Sequence, residues 1–186
     1  VPFAFAISML WNKHRHPIWI DTIRKWTLFA WSFLTLGVFL GGRWAYVELG
    51  WAGYWAWDPV ENSSFIPWLI TTALIHVLLL QRKTQHLLIL ALCLSMLSFF
   101  FSFFGTFITR SGVISSVHSF AKSSVGPQYL GFLSVLATSC SLIFLLRFKY
   151  LRSPVIMKNW NYSKESSILI AVFLLLSFFF IVVLGT

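Results

Sequence analysis

Leu87-Leu-Ile-Leu-Ala-Leu-Cys93-Leu-Ser-Met-Leu-Ser-Phe-Phe-Phe-Ser-Phe-Phe-Gly105-Thr-Phe107 runs between Arg82-Lys83 and Arg110 without one charged residue. A helix needs roughly 20 predominantly apolar residues to cross the hydrocarbon of a bilayer, and this stretch supplies them. Four further segments are of similar character: 26–42, 65–81, 128–146 and 168–184. Segment 1–11 is about half the length of a span and reads as the tail of a helix. Composition agrees, with 58% hydrophobic, 19% aromatic and 10% charged residues. A soluble domain is about half apolar and a quarter charged, so that class is excluded. The fold class is all-α: a polytopic helical membrane protein with five full spans and one partial span at its N-terminus, in a single transmembrane domain over 1–186.

The connections between spans alternate in charge. Lys13, Arg15, Arg24, Lys25, Arg82, Lys83, Arg147, Lys149, Arg152, Lys158 and Lys164 fall on one side, eleven of the 14 cations. Arg43, Arg110 and Lys122 fall on the other. Cationic connections remain on the cytoplasmic or matrix side, so loops 43–64 and 108–127 are expected to face the periplasm or intermembrane space. The formal charge of +9 is thereby explained as an orientation signal, with no nucleic-acid partner implied. Cys93 and Cys140 sit inside apolar runs and form no C-x-x-C, zinc or C-x-x-C-H spacing. No internal repeat and no low-complexity linker is present.

Loop 43–64 concentrates aromatic residues: Trp51-Ala-Gly-Tyr54-Trp55-Ala-Trp57-Asp58-Pro59-Val-Glu61-Asn62. Trp and Tyr favour the membrane–water boundary, which is one explanation. The density suggests a second: flat rings beside Gly50 and Gly53 offer a surface for a large planar apolar ligand. Asp58, Pro59 and Glu61 have the order of a helix N-cap, a first helical proline and a capping-box acid, which would hold the preceding aromatic loop. The helix that follows carries His76, expected on one face with Asn62, Phe65, Leu69 and Thr72. A histidine inside a span is costly to keep, so it serves either a hydrogen bond or a function such as axial ligation of haem iron or proton transfer.

In the second outer loop, Val113, Val117 and Phe120 have the spacing of a short amphipathic helix, which would set His118 beside its apolar stripe. Arg110 suits either a ligand carboxylate or interfacial snorkelling. His14, His16 and His86 lie in or beside basic inner segments and receive no role.

The stretch Trp51 to Trp68, with its Trp-Asp-Pro-Val-Glu-Asn core and a span ending in Leu74-Ile75-His76, resembles the WWD signature of CcmF-type cytochrome c maturation proteins, haem lyase subunits of the WWD-domain haem-handling family. Gly105 to Val113 followed by Val117-His118-Ser119-Phe120-Ala121 is similar to the same family. The resemblance runs from Pro2 to about Gly131. It implies haem b both as resident cofactor and as substrate, bound by Trp51, Tyr54, Trp55, Trp57, Asp58, His76, Arg110 and His118. Within that set His76 and His118 would be axial ligands of iron. It also implies a haem chaperone, apocytochrome c and other maturation subunits as partners, with attachment of haem to the apocytochrome as the function. The second ligand of each iron is expected outside 1–186, so the chain is expected to be a partial chain or a naturally split subunit. Transmembrane transport or relay of haem and a purely structural scaffold are the alternative functions. The Phe- and Ser-rich composition leans to a mitochondrial inner membrane over a bacterial one.

Overall fold

The computed structural model describes residues 1–12, 17–48, 50, 53–84, 87–111, 113, 125–151 and 164–186. They form six helices and no strand: α1 (Pro2–Asn12), α2 (Pro17–Glu48), α3 (Pro59–Thr84), α4 (Leu88–Ser111), α5 (Gly126–Leu151) and α6 (Lys164–Leu184). All but α1 are long and apolar enough to cross a membrane. The polytopic helical architecture expected from the hydropathy is the one observed.

Helix α3 is the centre of the bundle. Ile66, Leu69, Ile70, Ala73, Leu74, Val77 and Leu78 on it are buried, and α2, α4 and α6 pack around them. Helix α1 docks against α2, α4 and α5, with Phe3 stacked on Phe99 at 4.3 Å and Phe5 edge-on to Trp19 at 5.5 Å. The outward faces of α2, α5 and α6 remain apolar, as Phe33, Leu145 and Phe173 illustrate. In lipid such faces need no polar cover, so packing rather than burial from water holds the helices together.

Contacts near the helix ends show the alternating run. Tyr46 at the end of α2 stacks on Tyr54, 4.4 Å between ring centres, just before α3 begins. Asn62 in the first turns of α3 donates to Thr186 Oγ1 beyond α6, at 3.1 Å. At the opposite end Asp21 of α2 lies 3.5 Å from Arg82 Nε of α3. Arg24, Lys25, Arg147, Lys149 and Lys164 belong to this second, basic end by their positions on α2, α5 and α6. One end of the bundle is thus aromatic and the other cationic.

Two boundaries differ from the hydropathy reading. Helix α2 continues through Gly41-Gly42-Arg43-Trp44 to Glu48, because glycine is tolerated in spanning helices and the aromatic residues suit a helix leaving the apolar layer. Helix α4 runs on to Ser111, so Arg110 occupies its last turn, where a cation complements the helix dipole. The short amphipathic helix expected at 113–120 lies outside the described residues apart from Val113.

Candidate functional site

The aromatic end is built on the N-terminus of α3, and its cap has the expected form. The Val60 N–H donates to Asp58 Oδ2 at 3.0 Å, while Asp58 N–H donates back to Glu61 Oε2 at 3.3 Å. This reciprocal pair is a capping box, with Pro59 in the first helical position where no N–H is needed. Glu61 goes further: the same oxygen accepts the Ala56 N–H at 2.7 Å. A carboxylate only 8% exposed therefore ties the loop before the cap to the helix after it. Asn62 adds a contact from its amide to the Trp57 carbonyl at 3.4 Å.

Held this way, Trp57 adopts φ +57°, the left-handed region that costs a non-glycine residue about 1–2 kcal/mol. The rings do not form one flat platform. Trp55 and Trp57 stand at 85° with centres 5.9 Å apart, and both meet Phe65 edge-on, at 5.6 and 6.1 Å. Edge-to-face contact is the arrangement favoured by the ring quadrupole, which is why neighbouring indoles make a corner instead of a sheet. A flat surface laid against one of these rings would meet the next by its edge. Phe178 of α6 closes the corner against Trp57 at 6.2 Å. The Trp55 indole N–H is buried without a hydrogen-bonding oxygen among the described residues. Tyr54 and Trp57 are more than half exposed.

Below this corner, a cleft of about 350 Å³ opens between α2 and α3, lined by Gly37, Gly41, Trp44, Trp55, Glu61 and Ser64 among others. Gly37 and Gly41 have nothing within 4 Å of where a Cβ would stand, so these glycines make the space. At Gly42, by contrast, a Cβ would come within 2.8 Å of the Tyr54 carbonyl oxygen; the loop folds back directly onto α2 there.

His76 lies farther down α3 and is half-buried. Its Nδ1 is 2.7 Å from the Thr72 carbonyl oxygen. A carbonyl can only accept, so Nδ1 is the donor, and in the neutral imidazole Nε2 is then the nitrogen with the lone pair that a metal requires. The hydrogen bond is therefore within the helix, to the backbone of Thr72, and it is compatible with ligation. Asn62 and Leu69 are buried, while Phe65, Thr72 and His76 are half-buried.

A feature not anticipated from the sequence joins α3 to α2 one turn above His76. Trp31 Nε1 donates to Thr72 Oγ1 at 2.8 Å, and Trp68 Nε1 donates to Thr35 Oγ1 at 2.8 Å. Each threonine hydroxyl in turn donates 2.7 Å to the carbonyl of the tryptophan four residues before it, Thr72 to Trp68 and Thr35 to Trp31. The two antiparallel helices exchange the same pair of groups, with the indole rings 6.1 Å apart. The available signal was Trp-x-x-x-Thr, which occurs in both spans.

Of the residues singled out from the sequence, Tyr54, Trp55, Trp57 and Asp58 come together at the aromatic end. Arg110 is at the same end of the bundle, on the exposed last turn of α4, since Gly105 packs on Ser63 of α3. His76 is on the shaft of α3, away from the loop. Trp51, His118, His14, His16 and His86 lie outside the described residues. No group of three or more His, Cys, Asp or Glu suited to a metal ion occurs among the described residues.

Comparison with known proteins bears on this arrangement. The model of the cytochrome C assembly protein family matches residues 1–114. Over its whole length the chain is 43% identical to the cytochrome c-type biogenesis protein CcmF of Haemophilus influenzae, covering 28% of that protein. It has the same identity to CcmF of Escherichia coli K12, of which it covers 29%. CycK of Bradyrhizobium diazoefficiens is 51% identical over 121 residues, 65% of this chain and 18% of the relative. A solved structure of the cytochrome c heme lyase CcmF superposes with a TM-score of 0.77 at 33% identity, covering all of this chain and 28% of that one. The chain thus spans somewhat over a quarter of the length of its CcmF relatives, and those named here are bacterial. The chain belongs to the cytochrome c assembly protein family, and its whole length is similar to one stretch of CcmF.

Proposed function

We propose that this chain forms the haem-presenting part of a cytochrome c haem lyase, which attaches haem to apocytochrome c. Trp51, Tyr54, Trp55 and Trp57 hold haem received from a haem chaperone at the aromatic corner, with His118 on the iron and Arg110 toward a haem carboxylate. His76 is an axial ligand of a second, resident haem b within the membrane. The observation that carries the reading is that one helix bears both features: the Glu61 cap locks the tryptophan loop to α3, and His76 on α3 has its Nδ1 hydrogen-bonded to the Thr72 carbonyl, which leaves Nε2 as the nitrogen to meet iron.

When bound, haem supplies the vinyl groups that accept cysteine thiols and the iron that changes oxidation state. The protein's own residues supply ligation, orientation and exclusion of water. Edge-to-face indoles restrict the tilt of a planar ligand, and the strained Trp57 backbone is held by Asn62 and the cap. No described residue is placed as a general acid or base. The segregation of eleven cations to one set of connections supports an inner-membrane protein, with the tryptophan loop facing the periplasm or the intermembrane space. A mitochondrial location rests on composition alone.

The test is a reduced-minus-oxidised visible spectrum of the complex purified from native membranes, wild type against His76→Ala. A b-type signal that is lost or shifted in the variant is expected. An unaltered signal removes His76 from the iron. Absence of haem from an intact complex would favour a scaffold, and haem reaching the chaperone unaided in cells lacking this protein would exclude transport.

A further inference from the structure

We infer that Thr72, held by the Trp31 indole, is a positioning residue that sets the geometry of the His76 imidazole. The inference rests on the proposed role of His76 as an iron ligand. In an α-helix the backbone N–H of residue 76 already points at the carbonyl of residue 72, and the imidazole Nδ1 lies 2.7 Å from that same oxygen. The Thr72 peptide therefore decides where the ring hangs and which nitrogen carries the proton. Its hydroxyl is fixed twice, accepting from Trp31 Nε1 at 2.8 Å and donating to the Trp68 carbonyl at 2.7 Å. With its hydroxyl bonded to α2 and to its own helix, Thr72 holds this turn of α3 at one distance and rotation from α2, and the carbonyl that the imidazole reaches is held with it. Partners that orient a metal-bound histidine typically matter about 10- to 100-fold in metal affinity.

The molecule contains its own control. Thr35 makes the same two bonds from the opposite helix, to Trp68 Nε1 and the Trp31 carbonyl, but no histidine stands four residues after it; position 39 is Phe. A simple interhelical staple makes Thr72→Val and Thr35→Val equivalent. A positioning role separates them. In the complex purified from native membranes, both variants are expected to lower thermal stability to a similar degree. Only Thr72→Val is expected to shift the b-type spectrum and to weaken haem retention, by about 10-fold. Thr72→Ser, which keeps the hydroxyl, is expected to restore both readouts. Equal spectra and equal haem retention in Thr72→Val and Thr35→Val, with a wild-type signal that depends on His76, overturn the inference alone. A wild-type signal that does not depend on His76 overturns the proposed ligand role and the inference with it.

Discussion

Glu61 reaches back five residues to accept the Ala56 N–H, 2.7 Å away, and in doing so binds the tryptophan loop to the helix that carries His76. The same oxygen accepts from Asp58 N–H, so one carboxylate holds two amides of the chain leading into α3. Glu61→Ala is expected to cost about 1–3 kcal/mol, two hydrogen bonds at roughly 0.5–1.5 kcal/mol each. Glu61→Gln keeps one accepting oxygen and should cost less. Thermal unfolding in detergent measures both, and the haem content of the purified protein should fall in the same order. Equal haem content in Ala and Gln variants would show that the cap does not control the loop.

Asp58 has two separable roles to test. As an N-cap it accepts from Val60 N–H at 3.0 Å, and asparagine does that work as well as aspartate. Asp58→Asn is therefore expected to keep both stability and haem retention, whereas Asp58→Ala should lose about 1 kcal/mol. Loss of haem in a stable Asp58→Asn protein would mean that the charge itself faces the ligand.

Trp57 carries backbone strain that only glycine escapes, with φ at +57°. Replacing it with alanine or glycine removes the same ring and the same contacts to Phe65 and Phe178. The two variants differ only in whether a Cβ must occupy the left-handed region. Trp57→Gly is expected to be more stable than Trp57→Ala by about 1 kcal/mol, while both lose haem retention. Equal stabilities would mean that the loop relaxes once the indole is gone, and that the ring, not the cap, imposes the conformation.

How much of this was legible in the sequence follows from the range of each interaction. The spans and the Asp58–Glu61 cap were readable because each depends on neighbours within one turn or one apolar run. The extent of α2 was not, because Gly41-Gly42-Arg43 has the look of a helix end in water and is tolerated beside lipid. The angle between Trp55 and Trp57 was not, because it is set by Phe65 and by the strained backbone at Trp57. The Trp31–Thr72 and Trp68–Thr35 exchange escaped for a different reason. Both Trp-x-x-x-Thr motifs were visible, but their meaning depends on α2 and α3 being adjacent, antiparallel and in register.

Gly105 of α4 is a point of close approach to α3, and Pro67 explains why. Proline has no N–H, so the Ser63 carbonyl four residues before it lacks its helical donor and is directed at α4. A Cβ on Gly105 would stand 2.8 Å from that oxygen and 3.4 Å from the Ser63 Cβ. Backbone atoms cannot move aside as a flexible side chain can. Gly105→Ala gains roughly 1 kcal/mol of helix propensity but must push α4 away from α3, and overpacking of this kind costs about 1–3 kcal/mol. The net expectation is lower stability and reduced haem retention, because α4 carries Arg110 less than two turns farther on. Gly131→Ala is the matched control: nothing lies within 4 Å of its Cβ position in α5, so only the propensity gain remains. Thermal unfolding should therefore move in opposite directions for the two alanines. A stabilised Gly105→Ala protein would mean that α3 and α4 separate without cost at this point, and that the close approach does not hold the aromatic end together.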